Sequence, residues 1–370
     1  MGSTIIGCGK SLPALEVEND ELQALVDTND EWIATRTGIR SRHIALTESN
    51  ADLGEAAARR ALGWEPSGWT QRAIEADEID LLICATVTSD VVVPSAAGML
   101  KRRLGLGNAI AFDVNAACSG FVYGMTVAET MMAASAAGTV GAVGRNPVRR
   151  ALVVGVERLT RLTNWFDRNT CVLFGDGAGA VVLEWDEERA GIIGSYLVNE
   201  DDVTNALTCP SAFDAPQPFD RSGVSLAEPI PVDRAQDRID EELATLESVQ
   251  AGEPRQVLRM DGPRVFKFAT AAMTEAVHRV LDRSNLTLDD VKCIVPHQAN
   301  ERIIKYAAKK LNRPLDFFQV SIGDTGNSSA ASVPMALADA YASGRIKQGD
   351  KVILTAFGGG FTSGAVLFEA

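Results

Sequence analysis

The chain holds 370 residues, 46% of them hydrophobic and 23% charged, with a formal net charge of −14. That length exceeds the usual single-domain size and calls for two domains or one large layered domain with a substantial core. The acidic balance disfavours non-specific binding to nucleic acid or an anionic membrane surface, and no run of about 18 apolar residues offers a membrane span.

The opening MGSTIIGCGKSLP lacks a basic segment followed by a long apolar stretch, so no secretion signal is read and a cytoplasmic setting is expected. From there EAAARRALGW (55–64) reads as a helix and DEIDLLICATV (77–87) as a turn and strand. The strand AIAFDV (109–114) leads into NAACSGFVYGMTVAETMMAASAAG (115–138), a turn of small residues opening an Ala-rich helix. RRALVVGVE (149–157) is an apolar strand, and FGDGAGAVVLEW (174–185) a glycine-rich hairpin running into another.

Residues 199–257 break this pattern, with 6 of the 14 prolines and 13 acidic residues against 4 arginines. Only AQDRIDEELATLE (235–247) has helical periodicity there; the rest reads as a long polar, acidic, Pro-rich insert. Beyond it EAVHRVLDR (275–283), DDVKCIVPHQA (289–299), GNSSAASVPMALADAYASG (326–344), DKVILTAFGG (350–359) and FGGGFTSGAVLFEA (357–370) repeat the first flank in order. Helices alternating with short β-branched runs predict an α/β fold built of two similar halves, 1–198 and 258–370. The two halves share one core, and both Ala-rich helices are expected to be buried.

Several strings need testing against simpler meanings. GDGAGA (175–180) precedes a strand rather than a helix, so it reads as a tight hairpin and not a dinucleotide loop. GCGKS (7–11) ends like a phosphate loop, but the glycine required earlier falls on Thr4. Six cysteines lie far apart with no Cys-x-x-Cys pair, which argues against a zinc site or a disulfide framework. Cys8, Cys84, Cys171, Cys209 and Cys293 read as free packing thiols.

Three histidines leave little material for a metal cluster, and no metal site is expected. His278 sits in a helical pattern and His43 in a basic stretch, both peripheral. His297 ends the strand KCIVP, where α/β sheets place ligand-handling groups. Cys118 follows AIAFDV at the start of a helix, whose unpaired N–H groups and partial positive charge favour a thiolate. Asn327 lies at the turn that mirrors the one bearing Cys118. A turn asparagine is usually structural, but the duplication brings Cys118, His297 and Asn327 to matching strand ends, a nucleophile facing two hydrogen-bond donors.

Taken together, NDEWIATRTGIRSRHIA, NAACSGF, FGDGAGA, PHQANERI, GNSSAAS and FGGGFTSG resemble the thiolase-fold condensing enzymes, and within them the β-ketoacyl-acyl-carrier-protein synthase III family. The resemblance covers nearly the whole chain except the insert. It implies a five-layer αβαβα arrangement and an acyltransferase that initiates fatty acid biosynthesis as a homodimer. The implied reaction is a decarboxylative Claisen condensation of an acyl-coenzyme A primer with malonyl-acyl-carrier protein, through an acyl-Cys118 intermediate. It uses the coenzyme A thioester as substrate and no resident cofactor. His297 and Asn327 complete the triad, and the N–H groups of Cys118 and Gly359 form the oxyanion hole. Trp32, Arg36 and Arg168 match the coenzyme A site, Phe174 and Phe266 the tunnel wall, and Val93 a position reaching the partner subunit's acyl pocket. Lys267, Arg302, Lys309 and Lys310 match the face that docks acyl carrier protein. Pro263 and Ser363 depart from the asparagine and tryptophan usual in the family, and valine at 93, often aromatic there, suggests room for a branched or longer primer.

Two other readings share the triad. A fold-mate of specialised metabolism would make a ketide or join two acyl chains. A Cys-His-Asn thioester hydrolase would cleave without forming a carbon–carbon bond, although no Cys-Gly-x-Cys-Trp string accompanies Cys118. A non-catalytic binding protein would leave Cys118 unreactive.

Overall fold

The computed structural model describes residues 1–139, 147–189, 191–210 and 257–370. The helix expected at 235–247, and most of the insert, lie outside the described residues. In chain order the principal strands are β1 (Gly2–Ser11), β2 (Leu81–Ala85), β3 (Ile110–Val114), β4 (Arg150–Arg158), β5 (Asp176–Asp186), β6 (Ile192–Asn199), β7 (Cys293–Pro296), β8 (Lys351–Gly358) and β9 (Thr362–Glu369). The principal helices are α1 (Asp30–Thr37), α2 (Asn50–Ala61), α3 (Ala96–Leu104), α4 (Gly120–Ala136), α5 (Gly262–Ser284), α6 (Glu301–Lys310) and α7 (Ser332–Ala342).

The first sheet runs β3-β2-β4-β5-β1, with a short strand at Trp69–Thr70 beyond β1. β3, β2 and β4 are parallel, and β5 is antiparallel to both β4 and β1. The second runs β7-β8-β9-β6, with β7 and β8 parallel and β9 antiparallel to β8 and β6. Where the first sheet has β3, the second has a parallel bridge from Ile294 to Phe318. The repeat read from the sequence is therefore a repeat of strand order.

Because side chains alternate along a strand, each sheet has two apolar faces to cover. Leu81, Ile83, Ala151 and Val153 of the first sheet join α4, α7 and residues such as Val295 and Leu354 of the second in one central cluster. The intervening Leu82, Cys84, Leu152 and Val154 pack on α2 and α3. Ile294, Ile353, Ala365 and Leu367 meet α5 and α6 on the far side. The layers are helix, sheet, helix, sheet, helix.

Two details differ from the sequence reading. The boundary drawn at 198 falls at the end of β6, which pairs with β9 from Asn199 to Ile192, so the chain enters the second sheet before the insert begins. Composition changes only after that strand, which hides the crossing. And while α7 is buried along nearly its whole length, α4 keeps a half-exposed face at Val127, Thr130 and Met131.

Candidate active site

Two matching turns build the site. Asn115 follows β3, and its Oδ1 accepts from the Ala117 N–H at 3.4 Å; Asn327 Oδ1 accepts from the Ser329 N–H at 3.0 Å. Ala117 and Ser329 both take left-handed backbone, at φ 46° and 50°. Each turn then passes through a short 3-10 segment, Ala117–Ser119 or Ser329–Ala331, into α4 or α7. The counterpart of Asn327 is thus Asn115, and that of Cys118 is Ala330. Likewise His297 continues β7, donating its N–H to the Thr355 carbonyl at 2.8 Å, in the place Ala85 takes at the end of β2. The duplication repeats the backbone frame, and the reactive side chains are unique to one half or the other.

That frame brings Cys118, His297 and Asn327 to one cavity of about 480 Å³. Its wall includes Phe174, Phe266 and Gly359, and at its mouth lie Trp32, Arg36 and Arg168. Asn29 caps α1, accepting from the Trp32 N–H at 2.7 Å, and one helical turn stacks Arg36 over the Trp32 ring. The Arg168 guanidinium covers the ring too, its Cζ 4.0 Å from the centroid. Arg302 reaches the cavity, with its Cζ 5.9 Å from the Phe266 ring, whereas Lys267, Lys309 and Lys310 stand exposed outside it. Val93 is 84% exposed and does not line the cavity of its own chain. Pro263 does line it, in the first turn of α5, where a missing N–H breaks no helical bond. Ser363 is buried within β9, opposite Phe357 and Val198, away from the cavity.

The end of β8 approaches the nucleophile so closely that a Cβ on Gly358 would come within 2.7 Å of the Cys118 nitrogen. Only glycine fits there. Burial governs the charges. It lowers the His297 imidazole to about 3, so the ring is neutral. Ser332 Oγ lies 2.6 Å from His297 Nδ1 and accepts from the Gln298 N–H at 3.3 Å. Among the described residues the Ser332 hydroxyl has no other acceptor, so it donates to Nδ1 and leaves the ring proton on Nε2. The Asn327 amide is oriented in the same way: its oxygen is held by Ser329, which turns Nδ2 to the cavity.

Cys118 departs from expectation. The helix proper begins only at Gly120, and burial pushes the thiol up to about 11. Burial therefore opposes the charged form that a helix end favours. The other cysteines are free thiols as read, four of them buried and Cys209 half-buried. His278 is exposed and His43 binds the Pro13 carbonyl at 2.7 Å, both off the site. Among the described residues no group of three or more His, Cys, Asp or Glu is placed to hold a metal, and no helix is long and apolar enough to cross a membrane. Sequence reasoning missed Ser332, Ser329 and Glu157. The last carried a visible signal, an acid closing the apolar strand RALVVGVER.

Residues 112–201 match the protein family described as 3-oxoacyl-[acyl-carrier-protein] synthase III, and residues 281–370 match its C-terminal part. The chain is 40% identical to the β-ketoacyl-[acyl-carrier-protein] synthase III of Clostridium tetani over 366 residues, covering 99% of this chain and 97% of that protein. The chain belongs to the β-ketoacyl-acyl-carrier-protein synthase III family. The synthase III of Xanthomonas campestris pv. campestris is 41% identical, with 99% of this chain and 98% of that one covered. Among solved structures, the synthase III of Aquifex aeolicus VF5 superposes with a TM-score of 0.80 at 35% identity, over 100% of both chains. The priming β-ketosynthase of the R1128 polyketide pathway superposes at 0.79 and 32%, covering 100% and 96%. As a synthase III the chain is a thiolase-fold acyltransferase, a condensing enzyme of fatty acid biosynthesis, and the duplicated α/β sheets are that fold.

The imidazole assignment is open to a direct check. In 15N-labelled protein the His297 Nε2 should carry the proton and neither ring nitrogen should titrate between pH 5 and 9. A ring titrating near its ordinary value of about 6.5 would contradict it.

Proposed function

We propose that Cys118 accepts the acyl group from an acyl-coenzyme A primer, and that His297 and Asn327 then drive decarboxylation of malonyl-acyl-carrier protein on the same site. The observation that carries this reading is the convergence, in one cavity, of a thiol, an imidazole fixed as an Nε2–H donor, and an amide fixed as an Nδ2 donor. Loss of carbon dioxide leaves negative charge on the thioester oxygen, and two neutral donors stabilise it without themselves being buried ions. The carbanion attacks acyl-Cys118 and releases a β-ketoacyl product. The Cys118 and Gly359 N–H groups serve the tetrahedral intermediate, and the Gly358 contact at the Cys118 amide supports that role.

The mouth suits coenzyme A. Trp32 offers a ring face to adenine, and Arg36 and Arg168 offer charge to phosphate. The cycle is written with the coenzyme A thioester as substrate and no resident cofactor. Six free cysteines accord with a cytoplasmic setting. The R1128 relative supports a second reading, a priming enzyme of specialised metabolism, which the identity of the primer separates from the first.

For carrier protein the candidate face is basic and aromatic. Arg302 lies over Phe266, Phe266 meets Tyr306 edge-on at 6.3 Å, and Lys310 lies over Tyr306. Lys267 and Lys309 flank this row, and among the described residues none of these four cations forms an ion pair. An anionic partner would supply the missing charge. For the homodimer, β3 has a strand partner on one side only, and beside it Val91, Val92 and Val93 are 45%, 66% and 84% exposed. A second copy laid against that edge would cover both and carry Val93 toward the other acyl pocket.

Intact-protein mass spectrometry with a panel of acyl-coenzyme A esters should show one adduct on native protein and none on Cys118→Ala. His297→Ala and Asn327→Ala should keep that adduct and slow malonyl decarboxylation by about 10²–10³. Decarboxylation at the native rate would remove them from the mechanism, and clear preference for acetyl-coenzyme A would refute the wider pocket inferred from Val93. Lys267→Glu with Arg302→Glu should weaken use of malonyl-carrier protein far more than acyl transfer from coenzyme A, and equal losses would sink the docking face. Light scattering should give twice the 39.4 kDa mass of one chain; a monomer at micromolar concentration would contradict the dimer.

A further inference from the structure

Asn327 keeps its amide turned to the cavity only while the Ser329 N–H stays on its oxygen. That N–H sits on a backbone of φ 50°, a left-handed conformation that a residue other than glycine keeps only where its surroundings hold it. The duplicated turn lacks such a hold. In the first half the third residue of the turn is Ala117, also left-handed but with no hydroxyl to anchor. There the asparagine oxygen and the N–H stand 3.4 Å apart, and Asn115 is exposed. In the second half the third residue is Ser329, the separation is 3.0 Å, and Asn327 is buried.

The Ser329 hydroxyl is anchored on Glu157, at the end of β4 in the other half, donating to Oε1 at 3.2 Å. Glu157 is fully buried, stands behind the cavity wall rather than in it, and among the described residues forms no ion pair. A buried carboxylate without a cation is costly unless donors fill its oxygens. The loop after β2 supplies them. Thr88 Oγ1 accepts from the Arg158 N–H at 2.8 Å, and Thr86 Oγ1 from the Thr88 N–H at 3.1 Å and from Asn50 Nδ2 at 3.2 Å. Both hydroxyls therefore turn their own protons to Oε2, at 2.5 Å and 3.3 Å. The Val87 N–H lies 3.2 Å from either oxygen. With the carboxylate fixed by the loop, Oε1 is left facing Ser329.

We propose that Glu157 is a positioning residue for Asn327: it holds the Ser329 hydroxyl, and with it the N–H that orients the Asn327 amide. The inference rests on Asn327 serving the decarboxylation step. The main chain of Asn327 is held separately, its N–H on the Leu173 carbonyl at 2.8 Å and its carbonyl accepting from the Gly175 N–H at 3.1 Å. Losing the tie frees the amide and leaves that backbone in place. The Cys118 nitrogen is set by the approach of Gly358 instead. A fault at Glu157 thus falls on the half-reaction that needs the amide and spares the one that needs the thiol. The tie requires a hydrogen-bonding group and no charge, since a glutamine can give its NH₂ to Ser329 Oγ and keep its oxygen for Thr86 and Thr88.

The test measures decarboxylation of malonyl-carrier protein by enzyme pre-acylated with acetyl-coenzyme A, beside single-turnover acylation of Cys118 read by mass spectrometry. Ser329→Ala should lower kcat for decarboxylation about 10-fold, with KM for malonyl-carrier protein and the acylation rate within about twofold of native. Glu157→Leu, close in volume but with no polar end, should do the same, and Glu157→Gln should restore most of the rate. In an Asn327→Ala background Ser329→Ala should cost nothing further, because its effect passes through that amide. A native decarboxylation rate in Ser329→Ala would overturn the tie, and so would equal losses in both half-reactions. A further loss of about 10-fold in the double variant, or Glu157→Gln as slow as Glu157→Leu, would overturn it too. Decarboxylation at the native rate in Asn327→Ala would instead remove the reading beneath it. Where Glu157→Leu does not fold, Ser329→Ala and the double variant decide.

Discussion

Each sheet of this protein clamps the helix-opening turn that belongs to the other half. A Cβ on Gly155 of β4 would lie 2.3 Å from the Ala330 carbonyl oxygen, and one on Gly358 of β8 would lie 2.7 Å from the Cys118 nitrogen. Gly179 on β5 has the same relation to Met335, at 2.6 Å from its nitrogen. These contacts admit no side chain, and interiors packed this closely do not deform continuously. The amide of Cys118 and the turn bearing Asn327 are therefore set relative to each other by backbone on backbone, before any side chain contributes. Sites of this kind work because their donors need no rearrangement when charge develops.

Burial is the second consequence of that clamp. Between two sheets and under α7, His297 is neutral, Cys118 a thiol, and Glu157 poised between acid and carboxylate. Full charges are costly in such a place. The chemistry open to it is the transfer of protons between neutral partners and the stabilisation of transient charge by fixed dipoles. The charged groups stand at the rim, where Arg36, Arg168 and Arg302 keep contact with water.

Much of this was legible beforehand. The strands could be read because Leu81 to Ala85, Ala151 to Val154 and Val352 to Leu354 are continuous apolar runs buried on both faces, as parallel strands between helices must be. The repeat could be read because turn, helix, strand and hairpin recur in order. The crossing of β6 into the second sheet was hidden, since pairing partners leave no mark on a strand's own composition. The equivalence of Asn115 with Asn327 needed the two turns to be compared as backbone. The helix start near Cys118 is visible in sequence, while the burial that opposes it is not. Ser329 was passed over for a similar reason: its partner Glu157 comes from the other half, 172 residues away.

The insert leaves and rejoins the body through a two-stranded clip, in which Leu207 pairs with Met260 and Thr208 with Arg259. Leu207 and Met260 also line the cavity. With its ends already joined, the chain between them can lengthen cheaply, each doubling of a loop costing only about 0.6 kcal/mol in closure entropy. An evolving lineage could thus try many sequences between those two strands while the clamped sheets, and the chemistry they fix, stayed as they were.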